Sequence, residues 1–149
     1  MPTGGHLAHA GHLEAQLRGD GVYLVALRDG EPAGTALLSW ACHHGDVRDA
    51  LPDAAEVSNL GVRPDLRGQG IGGALLSAAE QLADARGVPR IALAVADDNP
   101  DAARLYLRRG YTDHGLRATF SYPYPDETGT VREVVEHTTV LVRTRYSGP

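Results

Sequence analysis

A run of glycines between a strand-like segment and a helix-like segment constrains this sequence most. Residues 66–76 read LRGQGIGGALL and join a predicted strand, Glu56–Val62, to a predicted helix from Ile71 to about Arg86. The first turn of a helix carries backbone N–H groups without intrahelical partners and the positive end of the helix dipole. Glycines let an anion approach these groups, and Arg67 can add a forked cationic donor. The stretch therefore predicts a phosphate site and favours a diphosphate as its ligand.

Length, charge and cysteine content limit the class of protein. The 149 residues suit one domain, residues 1–149, and the net charge of −5 disfavours binding to nucleic acid or to anionic membranes. One cysteine excludes an internal disulfide and fits a reducing compartment. No apolar run approaches the roughly 20 residues that span a bilayer, and no signal peptide is visible. We expect a single-domain cytoplasmic protein.

Hydrophobic spacing and turn signals predict helices that alternate with strands. The parallel strands on either side of the glycine-led helix require a right-handed crossover, which predicts a mixed α/β sheet flanked by helices. Residues 43–55 are polar and irregular and are predicted to form a solvated loop. The other predicted elements are a helix at Leu7–Arg18, a hairpin of Val22–Arg28 and Ala33–Trp40, a strand at Arg90–Ala96, a helix from Asn99 to Arg109, and strands at Tyr111–Tyr122 and Val131–Arg145.

Histidines and the single cysteine are weaker candidates for a site. His6, His9 and His12 are spaced three apart, so they drift around a helix, and we expect solvated side chains and no metal. Cys42 is followed directly by two histidines, but a nucleophile would need a base placed in space. A packed thiol is the favoured interpretation.

A dinucleotide site is one alternative for the glycine loop. Gly68, Gly70 and Gly73 match G-x-G-x-x-G, the fingerprint of NAD-type cofactors. Five residues separate the predicted strand from Gly68, whereas a Rossmann turn is tight. The acids Asp97 and Asp98 also lie later than the usual ~20 residues, and the chain offers too few parallel strands. A Rossmann-type oxidoreductase is therefore disfavoured.

The loop resembles the R/Q-x-x-G-x-G/A acyl-CoA signature of the GNAT-type N-acetyltransferases. Residues 60–64 resemble the preceding strand of that superfamily, and residues 98–100, 103–106 and 109–111 resemble its second cofactor-contacting segment. The resemblance covers about residues 56–111. It implies a mixed, centrally splayed β-sheet flanked by helices, with acetyl-CoA as co-substrate and a primary amine of a small molecule or peptide as acceptor. An acyl-CoA-binding module without efficient catalysis remains the alternative.

The resemblance also implies roles for individual residues. Backbone N–H groups of residues 67–72 would hold the CoA pyrophosphate, and the strand before them would pair with the pantetheine arm and polarise the thioester carbonyl. The implied cofactor-binding residues are Leu60, Gly61, Val62, Arg67, Gly68, Gln69, Gly70, Ile71, Gly72, Asn99 and Tyr106.

Two residues are the implied catalytic groups. Tyr106 would protonate the departing thiolate, unless it is a tyrosine packed on a helix face. Glu56 would take a proton from the amine directly or through water, unless it is an ordinary strand-edge carboxylate. Asp53 is a weaker substitute for Glu56.

The start of the chain departs from the family pattern. Only some twenty residues precede Val22, which is room for one helix where the family has a strand and one or two helices. Either the first strand is lacking or a partner subunit, as in a homodimer, completes the region. The acceptor amine is not identified by the sequence.

Overall fold

The protein is described by a computed structural model over residues 19–144. The helix predicted at Leu7–Arg18, with His6, His9 and His12, lies outside the described residues. The strands are β1 (Gly21–Arg28), β2 (Glu31–Ser39), β3 (Ala54–Val62), β4 (Arg90–Ala96), β5 (Thr112–Pro125) and β6 (Val131–Thr144). The helices are α1 (Gly45–Ala50), α2 (Ile71–Ala85) and α3 (Pro100–Arg108), with a short 3₁₀ turn at Pro64–Leu66.

The chain divides into two compact units. The first comprises the described residues up to Ala92 together with Thr144, and the second comprises Leu93–Arg143. Strand β4 runs from the first unit into the second. The strand order is β1-β2-β3-β4-β6-β5, with antiparallel and parallel neighbours, which confirms the predicted mixed sheet flanked by helices.

The first unit is built on a hairpin followed by a crossover. Asp29 and Gly30 join β1 to β2 with positive φ angles of 53° and 80°, the backbone that a tight two-residue hairpin requires. Strand β3 lies antiparallel to β2 on one side and parallel to β4 on the other. The parallel pairing runs from Ala54 with Arg90 to Glu56 with Ala92. Glu56 therefore has a paired strand on both sides, opposite Ser39 of β2 and Ala92 of β4, at the last paired position of the β3–β4 ladder.

Helix α2 packs on the strands of the first unit through a small-residue contact. Its buried face carries Leu75, Leu76, Ala79 and Ala83. A Cβ atom on Gly34 of β2 would lie 2.8 Å from the Gly61 carbonyl oxygen and 3.1 Å from Ile71 Cγ2. The missing side chain at Gly34 thus brings the first turn of α2 close to β2 and β3.

The second unit is dominated by a long hairpin. Strands β5 and β6 pair from Thr112 opposite Val142 to Pro125 opposite Val131. Asp126 closes the turn, because its Oδ1 accepts hydrogen bonds from the backbone N–H groups of Thr128 at 2.9 Å and Thr130 at 3.0 Å. The buried residues of the hairpin include Ala118 of β5 and Val140, Leu141 and Val142 of β6, so this part of β6 is covered on both faces.

The structure differs from the sequence prediction between residues 43 and 55. This segment contains helix α1, with Val47 buried, and β3 starts at Ala54 rather than at Glu56. Strand β4 has the predicted bounds, and α2 ends one residue before the predicted Arg86. Within residues 19–144, every helix is too short or too polar to cross a lipid bilayer.

Candidate active site

A β-bulge interrupts the pairing of β3 just before the glycine loop. Thr35 pairs with Gly61 and Leu37 pairs with Ser58, so Asn59 and Leu60 together oppose one residue of β2. Asn59 has a φ of +53°, a left-handed conformation that asparagine tolerates better than most residues. A glycine inside a strand, such as Gly61, often marks a bulge or a close backbone approach, and here the extra residue lies immediately ahead of it. A bulge of this kind bends the strand and turns its backbone, here at the start of the predicted cofactor-binding stretch.

The glycine loop leads from β3 into the start of α2. Gly68 and Gly70 have φ angles of +78° and +85°, and a Cβ atom added to either would meet nothing within 4 Å. Gly70 is the residue that precedes the helix and supplies no side-chain cap, and residues 67–70 are exposed. The first-turn N–H groups of α2 therefore adjoin open space with no capping side chain from Gly70. An anionic group such as a pyrophosphate fits this arrangement.

Two arginines lie close to the loop. Arg67 donates from Nε to the Val62 carbonyl oxygen at 3.4 Å, which holds its side chain against the end of β3. Arg28, at the end of β1, donates to the Gln69 side-chain oxygen. Both cations are exposed, so the loop has positive charge beside the helix start.

A largely apolar groove runs beside the end of β3. It has a volume of about 370 Å³. Gly61 and Val62, which are predicted to contact the cofactor, are in its lining with Arg63. Side chains of β1 and β2 complete the lining: Tyr23, Val25, Pro32, Ala33 and Thr35, with Gly34 between them.

Glu56 is buried and hydrogen-bonded. Its side chain is 11% exposed, and its Oε1 lies 2.6 Å from Nδ1 of His43, whose side chain is 61% exposed. The hydrogen bond to this carboxylate is the main cause that raises the pKa of His43 above the usual 6.5. In the sequence, His43 is notable only as a neighbour of Cys42. No local signal links His43 to a residue thirteen positions later, because the approach depends on α1 and on the register of the sheet.

Asp53, the weaker candidate base, forms an ion pair with Arg90. Arg90 donates from Nε to Asp53 Oδ1 at 2.9 Å, and this hydrogen bond is the main cause that lowers the pKa of Asp53. A carboxylate stabilised in its charged form is a weak proton acceptor. Asp53 is therefore better suited to pairing than to general-base chemistry.

Cys42 is a packed thiol. The residue is 1% exposed, and its Sγ lies 3.9 Å from the Ala54 carbonyl oxygen. Burial, followed by the negative charge of Glu56, raises the pKa of Cys42 to about 11. A thiol of this kind carries almost no thiolate at neutral pH, which agrees with the packed interpretation rather than with a nucleophile.

Asn99 and Tyr106 lie on α3 in the second unit. Asn99 caps this helix, since its Oδ1 accepts a hydrogen bond from the Ala102 N–H at 3.2 Å, as its position before Pro100 predicts. Tyr106 is 8% exposed and packs edge-to-face on Tyr111, with ring centroids 6.2 Å apart. Burial raises the pKa of Tyr106, so its phenol keeps its proton through the neutral range.

The described part of the chain contains no cluster of potential metal ligands. No three His, Cys, Asp or Glu side chains within residues 19–144 are grouped closely enough to bind a metal ion. The site residues form instead a strand, an exposed glycine loop and a helix start without a side-chain cap from Gly70, in the same unit as the buried carboxylate of Glu56.

Comparison with known proteins agrees with this arrangement. The Acetyltransferase (GNAT) family matches residues 4–111, which is more than half of the chain. The protein therefore belongs to the GNAT acetyltransferase family.

Solved structures share the fold at low sequence identity. One is PaiA N-acetyltransferase from Thermoplasma acidophilum in complex with coenzyme A, at 17% identity and a TM-score of 0.61 over 89% of this chain and 65% of that one. Another is ribosomal-protein-alanine N-acetyltransferase from Brucella melitensis, at 21% identity and 0.67, over 92% and 76%. A third is a GNAT family acetyltransferase from Elizabethkingia anophelis with acetyl-CoA bound, at 18% identity and 0.62, over 89% and 81%. The chain thus spans slightly less than two thirds of the Thermoplasma protein.

Proposed function

We propose that this chain is a single N-acetyltransferase domain that transfers an acetyl group from acetyl-CoA to a primary amine. The acceptor is a small molecule or a peptide, and the amine attacks directly while both substrates are bound. The observation that carries this proposal is the glycine loop, where Gly68 and Gly70 adopt left-handed backbone beside an α2 start that Gly70 does not cap. Family membership and the coenzyme bound in two structural relatives support the choice of acetyl-CoA.

Backbone groups of the loop would hold the cofactor. The N–H groups of residues 67–72 would bind the pyrophosphate, with the exposed Arg67 as an additional cationic donor. Leu60 and Val62 would pair through their backbones with the pantetheine arm beside Gly61. When bound, acetyl-CoA supplies the acetyl group as an activated thioester. A backbone N–H near the bulge would stabilise the negative charge that develops on the carbonyl oxygen during attack.

Glu56 would serve as the base. A primary amine is protonated at neutral pH and must lose a proton before its nitrogen can attack a carbonyl carbon. The Glu56 carboxylate is largely shielded from water and oriented by a hydrogen bond, whereas the alternative acid Asp53 is paired with Arg90. Both features favour Glu56 as the acceptor of that proton, directly or through one water.

Tyr106 would serve as the acid for the leaving thiolate. Because burial raises the pKa of Tyr106, its phenol is fully protonated at neutral pH and its O–H is available to donate to the departing sulfur. Asn99, which caps the same helix, would contact the cofactor in addition to its capping role.

Thermal denaturation with two ligands tests the proposal. We expect acetyl-CoA to raise the Tm and NAD to leave it unchanged, since only a ligand that binds the native state stabilises it. The variant Arg67→Ala should show a smaller acetyl-CoA shift, whereas Arg108→Ala, an exposed arginine on α3, should not. A shift with NAD alone would contradict the proposal.

Release of free CoA separates an enzyme from a binding module. The assay uses acetyl-CoA with spermidine, tyramine, kanamycin and a peptide with a free N-terminal alanine. We expect amine-dependent CoA release with at least one of these. A Tm shift without any release would support the CoA-binding module instead.

A further inference from the structure

One hydrogen bond in the first unit joins a shielded carboxylate to an exposed imidazole. Glu56 Oε1 and His43 Nδ1 are 2.6 Å apart, while the two side chains are 11% and 61% exposed. The imidazole therefore occupies one oxygen of the carboxylate on the side that leads to solvent. Among residues 19–144, the other oxygen, Oε2, has no hydrogen-bond or ion-pair partner.

The residue before His43 in the chain, Cys42, is held in place beside β3. Cys42 is buried, and its Sγ lies 3.9 Å from the Ala54 carbonyl oxygen at the start of β3. Arg48 of α1 donates from a terminal nitrogen to the Cys42 carbonyl oxygen at 3.4 Å. These contacts anchor the backbone beside β3, so the approach of His43 to Glu56 is built into the fold.

We propose that His43 is a positioning residue for Glu56, holding the carboxylate so that Oε2 faces the ammonium group of the acceptor. This inference rests on the proposed function, in which Glu56 is the base. In the step, Oε2 forms a bond to a proton of the ammonium group, and the electron pair of the broken N–H bond stays on nitrogen. Glu56 becomes a neutral acid and later returns the proton to water, with no other bond changed.

The charge state of His43 should control the strength of the base. As an imidazolium it places a positive charge beside Glu56, which favours the carboxylate and weakens its attraction for a proton. As a neutral ring with a proton on Nδ1 it still donates the hydrogen bond, without that charge. The other charged groups that act on His43 are Arg48 of α1 and Asp20 ahead of β1.

Two substitutions at His43 separate orientation from charge. Asparagine offers a side-chain N–H near the place of Nδ1 and does not titrate, whereas alanine offers none. With any amine that supports CoA release, we expect His43→Ala to lower kcat about tenfold, as for loss of one hydrogen bond to a charged group, with KM for acetyl-CoA unchanged. His43→Asn should recover most of kcat. The matched control is His114→Ala, an exposed histidine of β5, which should behave as the wild type.

The pH profile gives a readout that a merely structural role would not move. Wild-type kcat should rise as the pH climbs through the pKa of His43, above 6.5, and this rise should be absent in His43→Asn. Imidazole NMR titration, with the His43 signals assigned by their loss in His43→Asn, should show that Glu56→Gln returns its pKa toward 6.5. A wild-type His43 that already titrates at 6.5 overturns the inference.

The outcomes distinguish the two proposals. If Glu56→Gln keeps full activity, Glu56 is not the base and both the proposed mechanism and the role of His43 are wrong. If Glu56→Gln is impaired while His43→Ala matches the wild type at every pH, only the role of His43 is wrong. If the wild type releases no CoA with any of the four amines, the transfer and the role of His43 are both overturned.

Discussion

Arg90, the first residue of β4, donates from its Nε to Oδ1 of Asp53, the residue just before β3, over 2.9 Å. This pair fastens the two parallel strands where their short ladder begins, at Ala54 opposite Arg90. It also lowers the pKa of Asp53, the second candidate base, and so makes this carboxylate a weaker proton acceptor. The sheet thus separates two carboxylates of neighbouring sequence into a structural ion pair and a candidate catalytic group.

The Asp53–Arg90 pair predicts a pH-dependent contribution to stability. Arg90 lowers the pKa of Asp53 below 3.8, so the contribution is present above that value and is lost as the pH falls through the folded-state pKa. Because the Asp53 side chain is 47% exposed, solvent screening keeps the effect of Asp53→Asn below about 1 kcal/mol at pH 7. Urea unfolding at pH 7 and pH 3 measures it. Asp101→Asn, in a more exposed pair with Arg104, is the control, and equal losses for both variants would contradict the prediction.

Gly34 lies where β2 leaves no room for a side chain between β3 and α2. Alanine there would place its Cβ 2.8 Å from the Gly61 carbonyl oxygen, so either the strands or the helix must shift. We expect Gly34→Ala to lower the free energy of unfolding by about 1–3 kcal/mol. Gly61→Ala is the matched control, because a Cβ at Gly61 meets no atom within 4 Å. Denaturant unfolding in which both variants are equally stable would refute this packing.

Substitution of Gly70 should weaken cofactor binding in addition to lowering stability. Alanine at a φ of +85° costs roughly 1–2 kcal/mol of stability, and Gly129, at +82° in the β5–β6 turn, should show the same cost. Only Gly70→Ala should also weaken CoA binding, because only that loop would hold the pyrophosphate. Calorimetric titration with CoA, after unfolding curves have matched the two variants, checks this. Equal CoA affinity in both would argue against the loop as the binding site.

Loss of the Tyr106 hydroxyl should lower kcat without lowering the affinity for the cofactor. Removing the phenolic hydroxyl with Tyr106→Phe keeps the packing on Tyr111, so we expect kcat to fall about a hundredfold with KM for acetyl-CoA nearly unchanged. Since burial raises the pKa of Tyr106 above 10, kcat should not decline from its ionisation below pH 10. Tyr124→Phe, at an exposed position of β5, is the control. Parallel losses in kcat and in acetyl-CoA binding would make Tyr106 structural.

Local chemistry made some features predictable. Glycines at positions 68 and 70 are typical of a loop with left-handed backbone, and Asn99 before Pro100 is typical of a helix cap. Both features depend on only a few adjacent residues. Strand β4 was predictable from its run of apolar residues between turn signals. A catalytic role depends on groups that are distant in the sequence, so the roles of Glu56 and Tyr106 stay predictions.

Features that depend on three-dimensional placement were not predictable. Helix α1 has six residues, one buried side chain and no side-chain cap, so it carries no periodic signal. The bulge at Asn59 and Leu60 follows from the register of β3 against β2. Gly61 in the sequence indicates an irregularity in this strand but not its exact position. The contact of His43 with Glu56 needs α1, the register and the burial of Cys42 together.

The deep placement of Cys42 has a practical consequence for enzymology. With a pKa of about 11, roughly one thiol in a thousand is ionised at pH 8, and the side chain is closed to bulky reagents. Cys42 is also the single cysteine of the chain. In the native protein, the colour developed by an aromatic disulfide reagent would therefore count coenzyme thiols alone, with no background from the polypeptide.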